Sequence, residues 1–216
     1  MTYFPKHENG GWPCRARVQE HRLGDDRRFP SATIDAFAPY TEISGASMTA
    51  IDSHLLRKDT ILSRCRQYRY VLWREWDPNN PRYALFIGLN PSTADEKVND
   101  QTIRRCMGFA RSWGYGSLCM VNLFAIRATR PKDMKACKKP VGKRNDTWLR
   151  RLSAGAGVII AAWEIHGSYQ RRDAAVSRLV GKMHCLGRTK KGQPRHPLYV
   201  SGSQQPIPFR KRAASG

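Results

Sequence analysis

The stretch "ALFIGLNPSTAD", Ala84–Asp95, decides the fold. Its first half is a continuous apolar run, the pattern of a strand buried on both faces. At Gly88 the run breaks into a polar turn built from Asn90, Pro91, Ser92, Thr93 and Asp95. The turn has two readings. It is a way out of a sheet, with Asn90 bonding its own backbone and Ser92 or Thr93 capping a helix. Or it is a site, because ligands of open α/β sheets bind beyond the carboxyl ends of the strands.

The neighbouring segments supply the sheet. Upstream, "YRYVLWREW" (Tyr68–Trp76) alternates like a half-exposed strand and ends in the turn residues "DPNNP". Downstream, Asp100 to Trp113 is a predicted helix: Ile103, Cys106, Met107, Ala110 and Trp113 share one stripe, Asp100 can cap the start and Gly114 the end. "SLCMVNLF" (Ser117–Phe124) and "GVIIAAW" (Gly157–Trp163) are two more buried strands. A long basic loop, "AIRATRPKDMKACKKPVGKRN", separates them and leads to a helix around Asp146–Ser153; another helix follows around Ser168–Gly181. "MHCLG" and "PLYV" then flank the loop "RTKKGQPRHP". Buried strands alternating with helices predict an α/β domain, a three-layer α/β/α sandwich with a mostly parallel central sheet. No internal repeat is visible.

The domain is expected over residues 48–205. Residues 1–47 are rich in Pro and Gly and show neither helical nor strand periodicity, whereas Met48 opens a plausible protein start. They read as a disordered extension, or as the product of a start codon placed too far upstream. Residues 206–216 read as a basic flexible tail.

A length of 216 residues suits one sizeable core, and 40% hydrophobic with 10% aromatic content excludes a disordered chain. No apolar run approaches the roughly 20 residues that cross a bilayer, and the N-terminus shows no secretory pattern. A cytoplasmic protein without membrane association is expected. The six cysteines are scattered, with no CxxC pair and no His at ligand spacing, so they read as reduced, mostly buried thiols rather than metal ligands. No metal and no cofactor is expected.

Charge narrows the partners. The formal net charge is +21, and residues 1–47 hold six basic and six acidic residues, so the whole excess falls after residue 47. Such an excess favours polyanions, nucleic acid first and an anionic membrane surface second. Taken with the motifs of the chain, the expected partner is nucleic acid, DNA first, or a nucleotide. No P-loop, GxGxxG, serine nucleophile elbow, metal-binding His pair or clean carboxylate pair is present.

Three polar residues stand where strands end: Asn90 after "ALFIG", Asn122 inside "CMVNLF", and His196 in the loop after "MHCLG". A buried side-chain amide costs about 1–3 kcal/mol unless its groups are bonded, so Asn122 calls for a functional explanation. His196 is stiffened by Pro194 and Pro197. Glu164, after "AAW", and Asp95 are the acids close to strand ends.

"FIGLNPSTAD", "NDQTIRRCMGFARSWGYG", "VNLFAIRATRP", "VGKRND", "AAW" and "CLGRTKKGQPRHPLY" resemble the bacterial and phage domain-of-unknown-function family 1643 over about Tyr68 to Tyr199. Members of that family tend to have Gly after the "AAW" tryptophan, where this chain has Glu164. More distantly, the order of the motifs resembles the uracil-DNA glycosylase superfamily. That superfamily has a strand ending in Gly-x-(Asp or Asn)-Pro, a middle strand carrying Asn, a strand ending in Trp-Gly, and a late His-Pro loop. The matching positions here are Gly88-Leu89-Asn90-Pro91, Asn122, Trp163 with Glu164, and His196-Pro197.

That resemblance implies a glycosylase-like fold and a base flipped into a pocket. It implies Asn90 and His196 as catalytic residues, orienting water and donating to a base oxygen. Gly88, Pro91, Ser92, Asn122 and Trp163 would contact the substrate, with Asn122 reading the base edge. Arg104, Arg127, Arg130, Lys132 and Arg195 would hold phosphates. There are departures. Ser92 stands where the most active uracil-specific members have an aromatic residue, "PLYV" lacks the longer His-Pro-Ser-Pro loop, and the cysteines are not arranged for an iron–sulfur cluster. The expected function is therefore a glycosylase-like hydrolase acting on a modified or mismatched base. The alternatives are an enzyme processing a nucleotide or hypermodified base in a phage-linked pathway, and a non-catalytic nucleic-acid-binding protein. Oligomeric state stays open.

Overall fold

Strand β3, Tyr83–Gly88, is fully buried, and its residues alternate between two apolar clusters. Leu85 and Ile87 pack with Trp148, Leu149 and Val176 on one face of the sheet; Ala84 and Phe86 pack with Ile103, Met107 and Phe109 on the other. The two-residue period of a strand thus supplies both cores from one apolar run. The computed structural model describes residues 55–92 and 98–209. The expected extension over 1–47, Met48, Thr93 and Asp95 of the opening turn, and residues 210–216 lie outside them.

The sheet has seven strands in the order β1-β2-β4-β3-β5-β6-β7. Besides β3 these are β1 (Arg57–Leu62), β2 (Arg69–Glu75), β4 (Ser117–Asn122), β5 (Val158–Ala161), β6 (Met183–Cys185) and β7 (Ile207–Phe209). The pairings β4·β3, β3·β5 and β5·β6 are parallel, whereas β1·β2, β2·β4 and β6·β7 are antiparallel. The expected mostly parallel sheet is therefore corrected to a mixed one, with four central parallel strands between antiparallel flanks. The antiparallel pairing of β2 with β4 skips β3 and so has no local signal in the sequence, and three-residue strands such as β6 and β7 carry too few positions to show a period. Within the stretch expected as a basic tail, Ile207–Phe209 pairs with β6.

Helix α1, Gln101–Ser112, starts on the Asp100 side chain, which accepts from the Ile103 amide at 2.9 Å. It ends before Gly114, whose φ of 74° is the left-handed conformation glycine adopts freely. Helix α2, Pro131–Ala136, forms inside the expected basic loop. Its six residues bury Met134 and span fewer than two turns, so no periodicity announces it. Helix α3 is Asn145–Ala154 and α4 is Arg172–Val180, preceded by a 3₁₀ segment at Ile165–Arg171. "PLY" (Pro197–Tyr199) is a 3₁₀ turn.

Strand β2 differs from its expected half-exposed character: Arg69 to Arg74 are all buried. It lies between β1 and β4, and its side chains enter both apolar clusters, Tyr70, Val71 and Trp73 in one and Leu72 in the other. Its buried Arg74 donates through Nε to Asn99 Oδ1 at 2.7 Å, a partner distant in sequence. Cys106, Cys119 and Cys185 are buried free thiols, and burial pushes each above the ordinary cysteine value. Cys137 is half-buried and Cys65 exposed.

Candidate functional site

The chain runs from β3 to β4 on one side and then returns to β5 on the other, so β3 and β5 flank a topological switch point. Open α/β sheets bind ligands at such a point, outside the carboxyl ends of the strands. A cavity of about 320 Å³ lies there, within the range of small-ligand sites. Gly88, Asn90 and Ser92 line it from beyond β3, Asn122 from the end of β4, Trp163 from beyond β5, and His196 from the late loop.

Asn122 is 1% exposed, and its Nδ2 has no hydrogen-bond partner. The residue is held rigidly. Asn145, fully buried at the start of α3, donates through Nδ2 to the carbonyls of Asn122 and Leu123 at 2.9 and 3.0 Å. Arg172 Nε reaches the same Leu123 carbonyl at 2.9 Å and its guanidinium pairs with Asp146. Strand β4 has run out of ladder at this point, and these two side chains satisfy its last carbonyls. Gly88 keeps the space open opposite: a Cβ there would come within 2.9 Å of Asn122 Oδ1.

Asn90 uses its Nδ2 to bond the carbonyls of Ala128 (2.6 Å) and Pro91 (3.1 Å). The amide nitrogen therefore pins the turn and the residue lines the cavity, while the cap of α1 is Asp100 rather than Ser92. Among the described residues, Asn90 Oδ1 accepts no hydrogen bond. Pro91 is buried outside the cavity lining, where its carbonyl receives Asn90 Nδ2 and the Ala128 amide.

His196 Nδ1 accepts from the Leu198 amide at 3.3 Å, which places the proton of the neutral ring on Nε2. Burial pushes this imidazole below the ordinary histidine value, while the charges of Glu164 and Asp100 pull the other way. Its loop is clamped by Arg105, whose guanidinium bonds the Pro197 and Val200 carbonyls at 3.4 and 2.5 Å. Trp163 is 1% exposed and donates from Nε1 to Gln193 Oε1 at 3.0 Å. Gln193 in turn donates to buried Asp173 at 2.9 Å, tying the His196 loop to the end of β5.

Glu164 follows with φ 56° and ψ −161°. That region is essentially reserved for glycine and costs any other residue about 1–3 kcal/mol. Glu164 lines the cavity with Arg69, Asp100, Thr102, His166 and Tyr199, none of which the motifs pointed to as site residues. Glu164 had a visible signal as an acid at a strand end. Arg69 had none, because a basic residue opening a strand reads as surface until the strand proves buried.

The five expected phosphate contacts do not line the cavity. Arg104 sits on α1 beside Ile103, which does, and Arg195 is exposed next to His196. Lys132 is exposed, Arg127 half-buried, and exposed Arg130 is bound to Asp133 at 2.9 and 3.2 Å. Among the described residues no group of three His, Cys, Asp or Glu could hold a metal ion, and no helix is long and apolar enough to cross a membrane.

The fold and site define a mixed α/β protein with a polar cavity at the switch point of its parallel strands. The chain belongs to the family described as protein of unknown function (DUF1643), whose sequence profile matches residues 69–198. That match spans β2 to the His196 loop and takes in the cavity-lining residues from Arg69 to His196. No curated protein and no solved structure matches the chain.

Proposed function

We propose that the cavity binds a nucleobase extruded from nucleic acid, and that the protein is a glycosylase-like hydrolase of three-layer α/β/α architecture. The observation that carries this reading is the unpartnered Nδ2 of Asn122, buried in the same cavity as Asn90 and His196. A buried donor without a partner costs about 1–3 kcal/mol, and a ligand oxygen placed against it recovers that cost. A base carbonyl is such an oxygen, and the motif order shared with the uracil-DNA glycosylase superfamily points to the same ligand.

Each role falls to a particular side chain. Asn122 reads the base edge. The Nε2–H of neutral His196 donates to the base oxygen as charge develops on the leaving group, a contribution of several kcal/mol in a dry site. Asn90, with its nitrogen anchored, offers Oδ1 to orient water against the sugar carbon. Arg104, Arg127, Arg130, Lys132 and Arg195 meet phosphates around the base. Exposed Ile165, Leu198 and Tyr199 leave an apolar margin beside the cavity on which unstacked bases can rest.

The test is a panel of oligonucleotides carrying uracil, mismatched thymine and other altered bases, scored for abasic sites. Abasic sites with at least one substrate support the reading; none across the panel overturns it. A second reading, a free nucleotide as substrate, is favoured by Arg69, a buried cation within the cavity that suits a phosphate. Nucleotide binding without DNA binding at low salt would select it. DNA binding that survives N90A/H196A, with no substrate processed, would select a non-catalytic reader.

A further inference from the structure

Resting on the glycosylase-like reading, a question of proton flow remains. Asn90 is an amide and cannot take a proton, so the reading lacks a base for the attacking water. We infer that Glu164 is the general base of this site, carried at the expense of fold stability.

Three observations converge. Glu164 lines the cavity with His196, and its carboxylate charge acts on that imidazole. Among the described residues, that carboxylate makes no hydrogen bond and no ion pair. Asp100, the other acid of the cavity, is already engaged as the cap of α1. The third observation is the backbone. With φ 56° and ψ −161°, residue 164 occupies a conformation that glycine alone adopts without strain. The surroundings hold it there: its N–H donates to the Pro194 carbonyl at 3.0 Å and its own carbonyl accepts the Gly167 amide at 3.2 Å. Gly167 lies directly against the Trp163 ring, where an added Cβ would meet Cδ1 at 2.0 Å. A glutamate in such a position contributes nothing to the fold that glycine would not do better. Strained non-glycine residues concentrate at functional sites.

The step balances with water and the cavity's own groups. Water oxygen bonds to the sugar carbon as the carbon–nitrogen bond to the base breaks, and the electron pair departs on the base nitrogen. One water proton passes to the Glu164 carboxylate and from there to the departed base, restoring the carboxylate. His196 holds the base oxygen throughout; Arg69, Asp100, His166 and Tyr199 are the other ionisable residues lining the cavity.

Glu164→Gln and Glu164→Gly separate the roles. E164Q keeps the strain, so its Tm stays with wild type, while single-turnover base release falls about 100-fold or more. The acidic limb of the pH–rate profile, where a base is progressively protonated, flattens in E164Q. E164G relieves the strain and raises Tm by about 2–6 °C while losing the same activity. Active wild type with E164Q or E164G within about threefold of it overturns the base role and leaves the glycosylase reading standing. Wild type inactive on every substrate overturns that reading and the base role together. An E164G Tm at or below wild type overturns the stability trade.

Discussion

A Cβ on Gly88 would lie 2.9 Å from Asn122 Oδ1 and 3.1 Å from Met120 Cε. The end of β3 and the end of β4 are thus in contact through the amide on the cavity floor. Gly88→Ala must displace that amide or Met120, an overpacking cost of about 1–3 kcal/mol. A lowered urea midpoint at unchanged m-value would report it, together with weaker ligand binding.

Asn122→Ala separates stability from function in the opposite way. It creates a small cavity but removes an unpartnered buried donor, so unfolding free energy is expected within about 1 kcal/mol of wild type. Affinity for a base-containing ligand falls by about 1 kcal/mol or more, measured by titration.

Asn145→Ala removes the Nδ2 bonds to the carbonyls of Asn122 and Leu123 at the end of β4, leaving the Leu123 carbonyl only its bond from Arg172 Nε. A loss of about 1–3 kcal/mol in denaturant unfolding is expected. Hydrogen exchange would show the change concentrated at the strand end rather than spread over the sheet.

His196 supplies a pH signature. Its folded-state value lies below the ordinary 6.5, so its contribution to stability is complete above 6.5 and is lost as pH falls through the folded value. Protonation also turns Nδ1 into a donor and breaks its bond from the Leu198 amide. An NMR titration should therefore place the His196 midpoint below 6.5, with the Leu198 amide shifting in step. In the neutral state the ring should report the Nε2–H tautomer.

Phosphate contacts are read from salt. If Lys132 meets one phosphate, Lys132→Ala lowers the slope of log K against log salt by about 1 and weakens binding across all sequences alike.

The central strands and α1 were legible because each carries its own pattern: an apolar run in β3, β4 and β5, and a stripe from Ile103 to Trp113 above a capping Asp100. β2 misled because Tyr68–Trp76 alternates in residue type while both its faces are covered. Arg74 is tolerated inside by a partner, Asn99, that the pattern cannot announce. Helix α2 and strands β6 and β7 are too short to hold a period. The candidate site was half legible. Asn90, Asn122 and His196 stood out as polar residues at strand ends, whereas Arg69, Asp100, Thr102, His166 and Tyr199 reach the cavity only through the placing of β2, the start of α1 and the two 3₁₀ segments in space.

The sequence by itself determined that strands and helices alternate, where the polar interruptions fall, and that the positive charge follows residue 47. These are local properties, written in period and composition. The tertiary structure decided that the sheet is mixed, that Asn90, Asn122 and His196 line one cavity, and that Asn122 Nδ2 stays unpartnered. It also decided that Glu164 is bent into a glycine's conformation beside them. Such facts depend on strand order and on which distant carbonyls meet which side chains, and no single segment contains both halves of those contacts.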